Sequence, residues 1–190
     1  MIWFISDEHY WHKRVIRLCT RPFDSLDEMH RILIRNHNIR VKPEDTVIHV
    51  GDFSWGSTTK TKSILDQLNG THILIMGNHD KGSHITAMNA GFVWACTEMQ
   101  MHLEGEKIII KHYPYKPHWL FRMKNFLIYH YNLRYLDRRP KNEGGWLIHG
   151  HTHSSQKLKE KSIHVGVDAW NFKPVSLNQI IRIIRKKTTE

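Results

Sequence analysis

Five short apolar runs in this chain each end in a cluster of aspartate, histidine, asparagine or glycine. Ile2 to Ile5 leads into Asp7-Glu8-His9. Thr46 to Val50 leads into Gly51-Asp52, and Ile73 to Met76 into Gly77-Asn78-His79-Asp80. The run at 107–111 ends in His112-Tyr113-Pro114, and Trp146 to His149 ends in Gly150-His151-Thr152-His153. Short apolar runs rich in β-branched residues and bounded by turn formers read as buried strands. In an open α/β sheet the ligand crevice lies outside the carboxyl ends of the strands, so the five clusters are expected to converge.

Helical patterns separate the first three runs. Leu26, Met29, Ile32 and Leu33 predict a helix over 26–40. Ile64, Leu65 and Leu68 mark a second, ending at Asn69-Gly70, and a short third fills 82–90 and stops at Gly91. The first half thus reads β-α-β-α-β, a parallel sheet with crossover helices. The second half is richer in strands: 93–103 and 107–112 joined at Glu104-Gly105-Glu106, then 146–149 and 162–165. A last helix begins at Ser176, in capping-box spacing with Gln179, and lines up Leu177, Ile180, Ile181 and Ile184. Its basic end, Arg182, Arg185, Lys186 and Lys187, suits a helix C-terminus. The expected architecture is α/β: one domain over 1–190, built as two packed sheets flanked by helices.

Residues 113–145 stand apart. Pro114, Pro117, Pro140, Gly144 and Gly145 punctuate them, and Asp137 is the only acid between Lys111 and Lys141. Tyr113, Tyr115, Trp119, Phe121, Phe126, Tyr129, Tyr131 and Tyr135 interleave with Arg122, Lys124, Arg134, Arg138, Arg139 and Lys141. The segment reads as a partly helical insert between two site-bearing strands. It is either a lid or a recognition element, since bases among aromatics suit a phosphate backbone with stacked bases.

Composition narrows the function classes. A chain of 190 residues can bury a core without staples. Cys19 and Cys96 form no C-x-x-C pair, which argues for reduced thiols over a disulfide framework or a cysteine zinc site. Asp7 ends the first apolar run too early for a signal peptide, and no run reaches membrane-spanning length. A cytoplasmic protein with no membrane partner is expected. The net charge of +10 suits an anionic partner such as nucleic acid or a phosphorylated substrate.

The clusters offer carboxylate, amide and imidazole ligands and no thiolate. That set fits divalent metal, with manganese, iron, zinc or nickel as candidates. Asp7 and His9, like His151 and His153, are spaced so that both can point one way at a strand end. Glycine before Asp52, Asn78 and His151 lets the backbone approach closely.

Taken in order, Asp7-x-His9, Gly51-Asp52, Gly77-Asn78-His79-Asp80, His112 and Gly150-His151-x-His153 resemble the motifs of calcineurin-like metallophosphoesterases. Small prokaryotic and phage members also resemble this chain at His12, Arg21-Pro22-Phe23 and Val165-Gly166-Val167-Asp168-Ala169-Trp170-Asn171. The resemblance implies a two-sheet sandwich with helices outside and a dinuclear centre, manganese first among the candidate metals. Asp7, His9 and His153 would hold one metal, Asn78, His112 and His151 the other, and Asp52 would bridge them. It implies phosphoester hydrolysis by in-line attack of a metal-bridging hydroxide, with His79 as general acid and Asp80 orienting His79. The connection between His112 and Gly150 is longer here than in the family's small members, which bears on substrate more than on chemistry.

The expected substrate is a phosphodiester, nucleotide or nucleic-acid-related. A phosphomonoesterase is the alternative, and a non-enzymatic nucleic-acid-binding or scaffold protein on the same fold is the third reading. Among other residues, Arg21 is a candidate phosphate contact or a surface ion-pair partner, His12 a candidate on the substrate side or a helix-surface histidine, and Asn38 a candidate for ordering a loop beside the site. Asp168 is expected to fix a turn. His30, His37, His72, His84 and His102 read as bystanders, while His49 and His149 are either support for the site or simply buried.

Overall fold

The computed structural model describes residues 1–117 and 135–189. Two five-stranded sheets lie at its centre. In chain order the first sheet holds β1 (Ile2–Ile5), β2 (Thr46–His49), β3 (Thr71–Ile75) and β4 (Trp94–Cys96). The second holds β5 (Met99–Leu103), β6 (Glu106–Ile110), β7 (Trp146–His149), β8 (Leu158–Lys159) and β9 (Ser162–His164). The chain returns as β10 (Val175–Ser176) to the edge of the first sheet, giving orders β10-β1-β2-β3-β4 and β5-β6-β7-β9-β8.

Strands β1 to β4 are mutually parallel, as are β6, β7 and β9. Each parallel step in the first sheet needs a crossover, supplied by α1 (Lys13–Leu18) and α2 (Leu26–Asn38), then α3 (Thr58–Leu65), then α4 (His84–Ala90). Alternation along the strands sorts two cores. Ile5, Val47 and Leu74 face the helices, where they meet Val15, Met29, Leu33, Ile64 and Ala87. Phe4, Ile48 and Ile75 join Ile108, Ile110, Trp146, Ile148 and Ile163 of the second sheet, with Ile180 and Ile184 of the last helix, α5 (Leu177–Thr188).

Local signals hold the helix ends. Ser25 caps α2 by accepting the Glu28 amide, with Asp27 and Glu28 in the first turn. Ser176 and Gln179 form the reciprocal capping box of α5, and α4 ends at Gly91 in the left-handed region.

The sequence expectation fails at 93–103, which is two strands rather than one. β4 pairs with β3 in the first sheet and β5 with β6 in the second, so the chain changes sheets at residues 97–98. An apolar run carries no mark of which neighbour it will pair with. Helices α2 and α3 also stop earlier than their periodicity suggests, at Asn38 and Leu65. Among the described residues no helix is long and apolar enough to cross a membrane. Trp119, Phe121, Arg122, Lys124, Phe126, Tyr129, Tyr131 and Arg134 of the expected insert lie outside the described residues.

Candidate metal centre

The five polar clusters follow β1, β2, β3, β6 and β7, all at carboxyl ends of parallel strands. The two sheets meet there, where Ser6 bridges to Gly166. The loop after β1 is zipped onto the loop after β2: the amides of Asp7, His9 and Tyr10 donate to the carbonyls of Gly51, Asp52 and Phe53 at 2.9–3.0 Å. Asp7, His9, Asp52, His151 and His153 all take positive φ, between 50° and 72°. Non-glycine residues in that region are strained, and such strain collects at functional sites. The glycines give room: a Cβ on Gly77 would lie 2.2 Å from Asp52 Oδ1, and one on Gly51 would lie 2.4 Å from His112 Nδ1.

The ligand atoms fall into two groups. Asp7, His9 and His153 form one, and Asp52, His112 and His151 the other. Asp52 Oδ2 stands between them, 3.6 Å from His9 Nε2 and 3.5 Å from His112 Nε2. Asn78 Oδ1 completes the second group at 3.2 Å from His112 Nε2. Asp7 also receives the His151 amide at 3.0 Å, which ties the groups together.

A cation fits this donor set. His153 gives its Nδ1–H to Asp168 at 2.8 Å, so in its neutral form Nε2 is the nitrogen left with a lone pair. That nitrogen lies 3.2 Å from His9 Nε2. His112 gives Nδ1–H to the Val50 carbonyl at 2.9 Å, and its Nε2 faces Asn78 Oδ1 and His151 Nδ1, each at 3.2 Å. In each group imidazole nitrogens and carboxylate or amide oxygens converge within ligand distance of a common point, an arrangement that a shared cation would satisfy.

Without a cation the buried carboxylates hold protons on His112 and His153, protons that a bound metal would displace. Burial raises the Asp52 pKa, but His112 and His9 reverse it and hold the carboxyl well below the usual range. Burial likewise works against ionised Asp7, and His153 and His112 win. Burial lowers His112, yet Asp52 lifts it to about 9. Burial lowers His153, yet its hydrogen bond to Asp168 and the neighbouring Cys19 lift it to about 11. His9 and His151 are dominated by burial, at about 3 and about 4.

A model of the calcineurin-like phosphoesterase superfamily domain matches residues 1–174. The chain belongs to that superfamily. It is 33% identical to the uncharacterized protein MJ1445 of Methanocaldococcus jannaschii, over 97% of this chain and 92% of the relative. It is 30% identical to the gene 66 protein of Mycobacterium phage L5, over 96% and 93% of the two chains. The crystal structure of AQ665 from Aquifex aeolicus, a protein of unknown function, matches with a TM-score of 0.72 at 27% identity, covering 96% of this chain and 98% of that one. The chain is thus a phosphoesterase of a metal-dependent superfamily, and its Asp and His clusters are able to hold divalent metal.

In this phosphoesterase all seven candidate ligands come together, with His79 beside them. His79 donates its amide to Asp52 Oδ1 at 2.8 Å, and its Nε2 is 3.9 Å from Asp52 Oδ2. The ring packs 4.5 Å from Trp55 and 5.2 Å from His9. Burial lowers its pKa, against the opposing pull of Asp52. His12 lies on the same side, stacked on Trp55 at 4.3 Å and 5.9 Å from His79.

Three expectations are corrected. Asp80 does not orient the His79 ring: its carboxylate accepts the amides of Asp52, Gly77 and Phe53 at 2.8–2.9 Å. Burial and the Asp52 charge raise its pKa to about 7. Arg21 is not open to a phosphate. It is buried, paired with Asp168 at 2.8 Å, and donates to the carbonyls of Asp7 and Glu8. Asn38 lies at the other end of the first sheet, bonded to Gln67 and Asn69 just before β3, so it orders no loop beside the site.

Sequence reasoning understated three features. Asp168 joins Arg21 to His153 rather than merely fixing a turn, and burial is outweighed by those two partners, leaving it at about 2. It follows β9 as the other clusters follow their strands, so the same rule extended by one strand finds it. Glu8 is buried and paired with His49 at 2.5 Å, and His49 contacts His72 at 3.0 Å. Tyr113 and Tyr135 pack 5.0 Å and 5.8 Å from His151, bringing the described base of the insert to the centre.

Proposed function

We propose that this chain is a dinuclear phosphodiesterase acting on a nucleotide or nucleic-acid-related ester, with His79 as general acid. One observation carries the reading: a single carboxylate, Asp52, stands between two converging ligand groups with His79 Nε2 3.9 Å away. Asp7, His9 and His153 would hold one metal, Asn78, His112 and His151 the other, with Asp52 shared. Two divalent cations bound there, manganese foremost, would supply a water nucleophile of depressed pKa and neutralise charge on the phosphoryl oxygens.

The chain's own residues do the rest. Asp52 orients the acid, because its Oδ1 accepts the His79 amide. The His79 ring reaches the edge of the centre and is only half-buried, so its proton can pass to a leaving oxygen. Trp55, with Lys81 Nζ 5.1 Å from its ring, walls the leaving-group side. Tyr113, Tyr135 and Arg138 wall the opposite side beside His151, with Arg138 donating to the Tyr113 hydroxyl. Aromatic surface and cations on both sides suit a charged ester with planar groups, and the net charge of +10 suits an anionic substrate.

Hydrolysis of bis-p-nitrophenyl phosphate and p-nitrophenyl phosphate, with and without manganese, tests the reaction class. Faster turnover of the diester is expected. A strong preference for the monoester would make this a phosphomonoesterase. Salt-dependent oligonucleotide binding with no hydrolysis would support a binding protein instead.

A further inference from the structure

We propose that Asp168 is a positioning residue that locks His153 as a metal ligand, and that Arg21 ties it to the loop carrying Asp7 and His9. The first half of the centre is then assembled as one unit across the two sheets. This rests on the metal-binding reading above.

His153 differs from the other ligand histidines. Among the described residues it alone has a carboxylate on the nitrogen turned away from the centre, Asp168 Oδ2 at 2.8 Å. His112 has a backbone carbonyl there, and His9 Nδ1 is buried with no hydrogen-bond partner. A carboxylate only accepts, so Nδ1 keeps its proton, and Nε2, aimed at the point shared with His9, is the nitrogen left for a metal.

Asp168 is itself held. Arg21 Nε donates to Oδ1 at 2.8 Å and Nη2 to Oδ2 at 3.0 Å, a two-pronged pairing of fixed geometry. The same guanidinium donates from Nη1 to the Glu8 carbonyl at 3.1 Å and from Nη2 to the Asp7 carbonyl at 2.7 Å. Asp7 and Glu8 follow β1 of the first sheet, and His153 follows β7 of the second. The Arg21 side chain is fully buried, so the link is shielded from solvent. Losing such a carboxylate behind a ligand histidine lowers metal affinity by about 10- to 100-fold.

The test compares metal-stripped parent protein with Asp168→Asn, each titrated with manganese and counted for bound metal after gel filtration. The parent is expected to hold two manganese ions per chain and Asp168→Asn to hold one tightly, the other weakened by about 10- to 100-fold. A variant that binds both ions like the parent, with only its melting temperature lowered, would make Asp168 purely structural and overturn the proposal. A parent that binds no manganese would instead sink the metal reading itself. Should Asp168→Asn fail to fold, nitrogen-15 histidine spectra of the zinc-loaded parent decide. A protonated, hydrogen-bonded Nδ1 with a metal-shifted Nε2 on His153 is expected, and an unprotonated Nδ1 would overturn the proposal.

Discussion

Asp80 Oδ2 accepts the backbone N–H of Asp52 at 2.8 Å. The amides of Gly77 and Phe53 complete the set, so Asp80 builds the turn that presents the Asp52 carboxylate. Asp80→Asn would put an NH2 among three donors and leave a buried amide unpaired, at about 1–3 kcal/mol. Lower stability and lower metal content together are the expected result, by urea unfolding and elemental analysis. Unchanged metal and stability with lost turnover would return Asp80 to the side of His79.

Asp52 and His79 separate by phenotype. Asp52→Asn removes the charge shared by both ligand groups, so metal and turnover should fall together. His79→Asn should keep the metal and lose roughly a hundredfold in rate on an alkyl ester, with much less loss on a p-nitrophenyl ester. Near-parental rates on the alkyl ester would end the acid role.

Gly150 is held open by its neighbours. A Cβ there would lie 1.9 Å from Ser6 Oγ and 2.6 Å from Asp7 Oδ2. Gly150→Ala must therefore displace Ser6 and, with it, Asp7, at a cost of about 1–3 kcal/mol in strain. Loss of metal from the Asp7, His9 and His153 half is expected in a protein that still folds. A variant with full metal content would show that the loop has slack.

Acid should weaken the fold through histidines remote from the chemistry. His37 is buried with Nε2 on the Asn69 carbonyl at 2.8 Å, and burial lowers its pKa from 6.5 to about 3. A depressed folded value means that the stabilisation is complete above pH 6.5 and is lost as pH falls toward 3. His72 behaves likewise. His37→Gln keeps a donor for Asn69 but cannot titrate. Its unfolding free energy between pH 4 and 6 should fall less steeply than the parent's, by about 1.4 kcal/mol per pH unit. Identical slopes would mean that His37 is not held neutral.

What was legible from sequence follows from what is local. Ile2 to Ile5, Thr46 to His49 and Trp146 to His149 are marked as strands by composition and by the polar turns that end them. Ser176 and Gln179 announce a helix start because the capping box lies within one turn. The candidate ligands were readable because they cluster just after the ends of five strands. Partners across the fold were not. Nothing near Arg21 in the chain indicates Asp168, and nothing near Asp80 indicates that its carboxylate serves backbone amides instead of an imidazole. The division of 93–103 between two sheets was hidden for the same reason, since register depends on the neighbour.

The most direct test is a manganese titration of metal-stripped protein, following hydrolysis of bis-p-nitrophenyl phosphate and bound metal in the same samples. Turnover that is absent without metal and saturates as the second ion per chain binds is the expected result. No metal-dependent hydrolysis of that ester, of p-nitrophenyl phosphate or of a nucleotide panel would contradict a dinuclear phosphoesterase centred on Asp52.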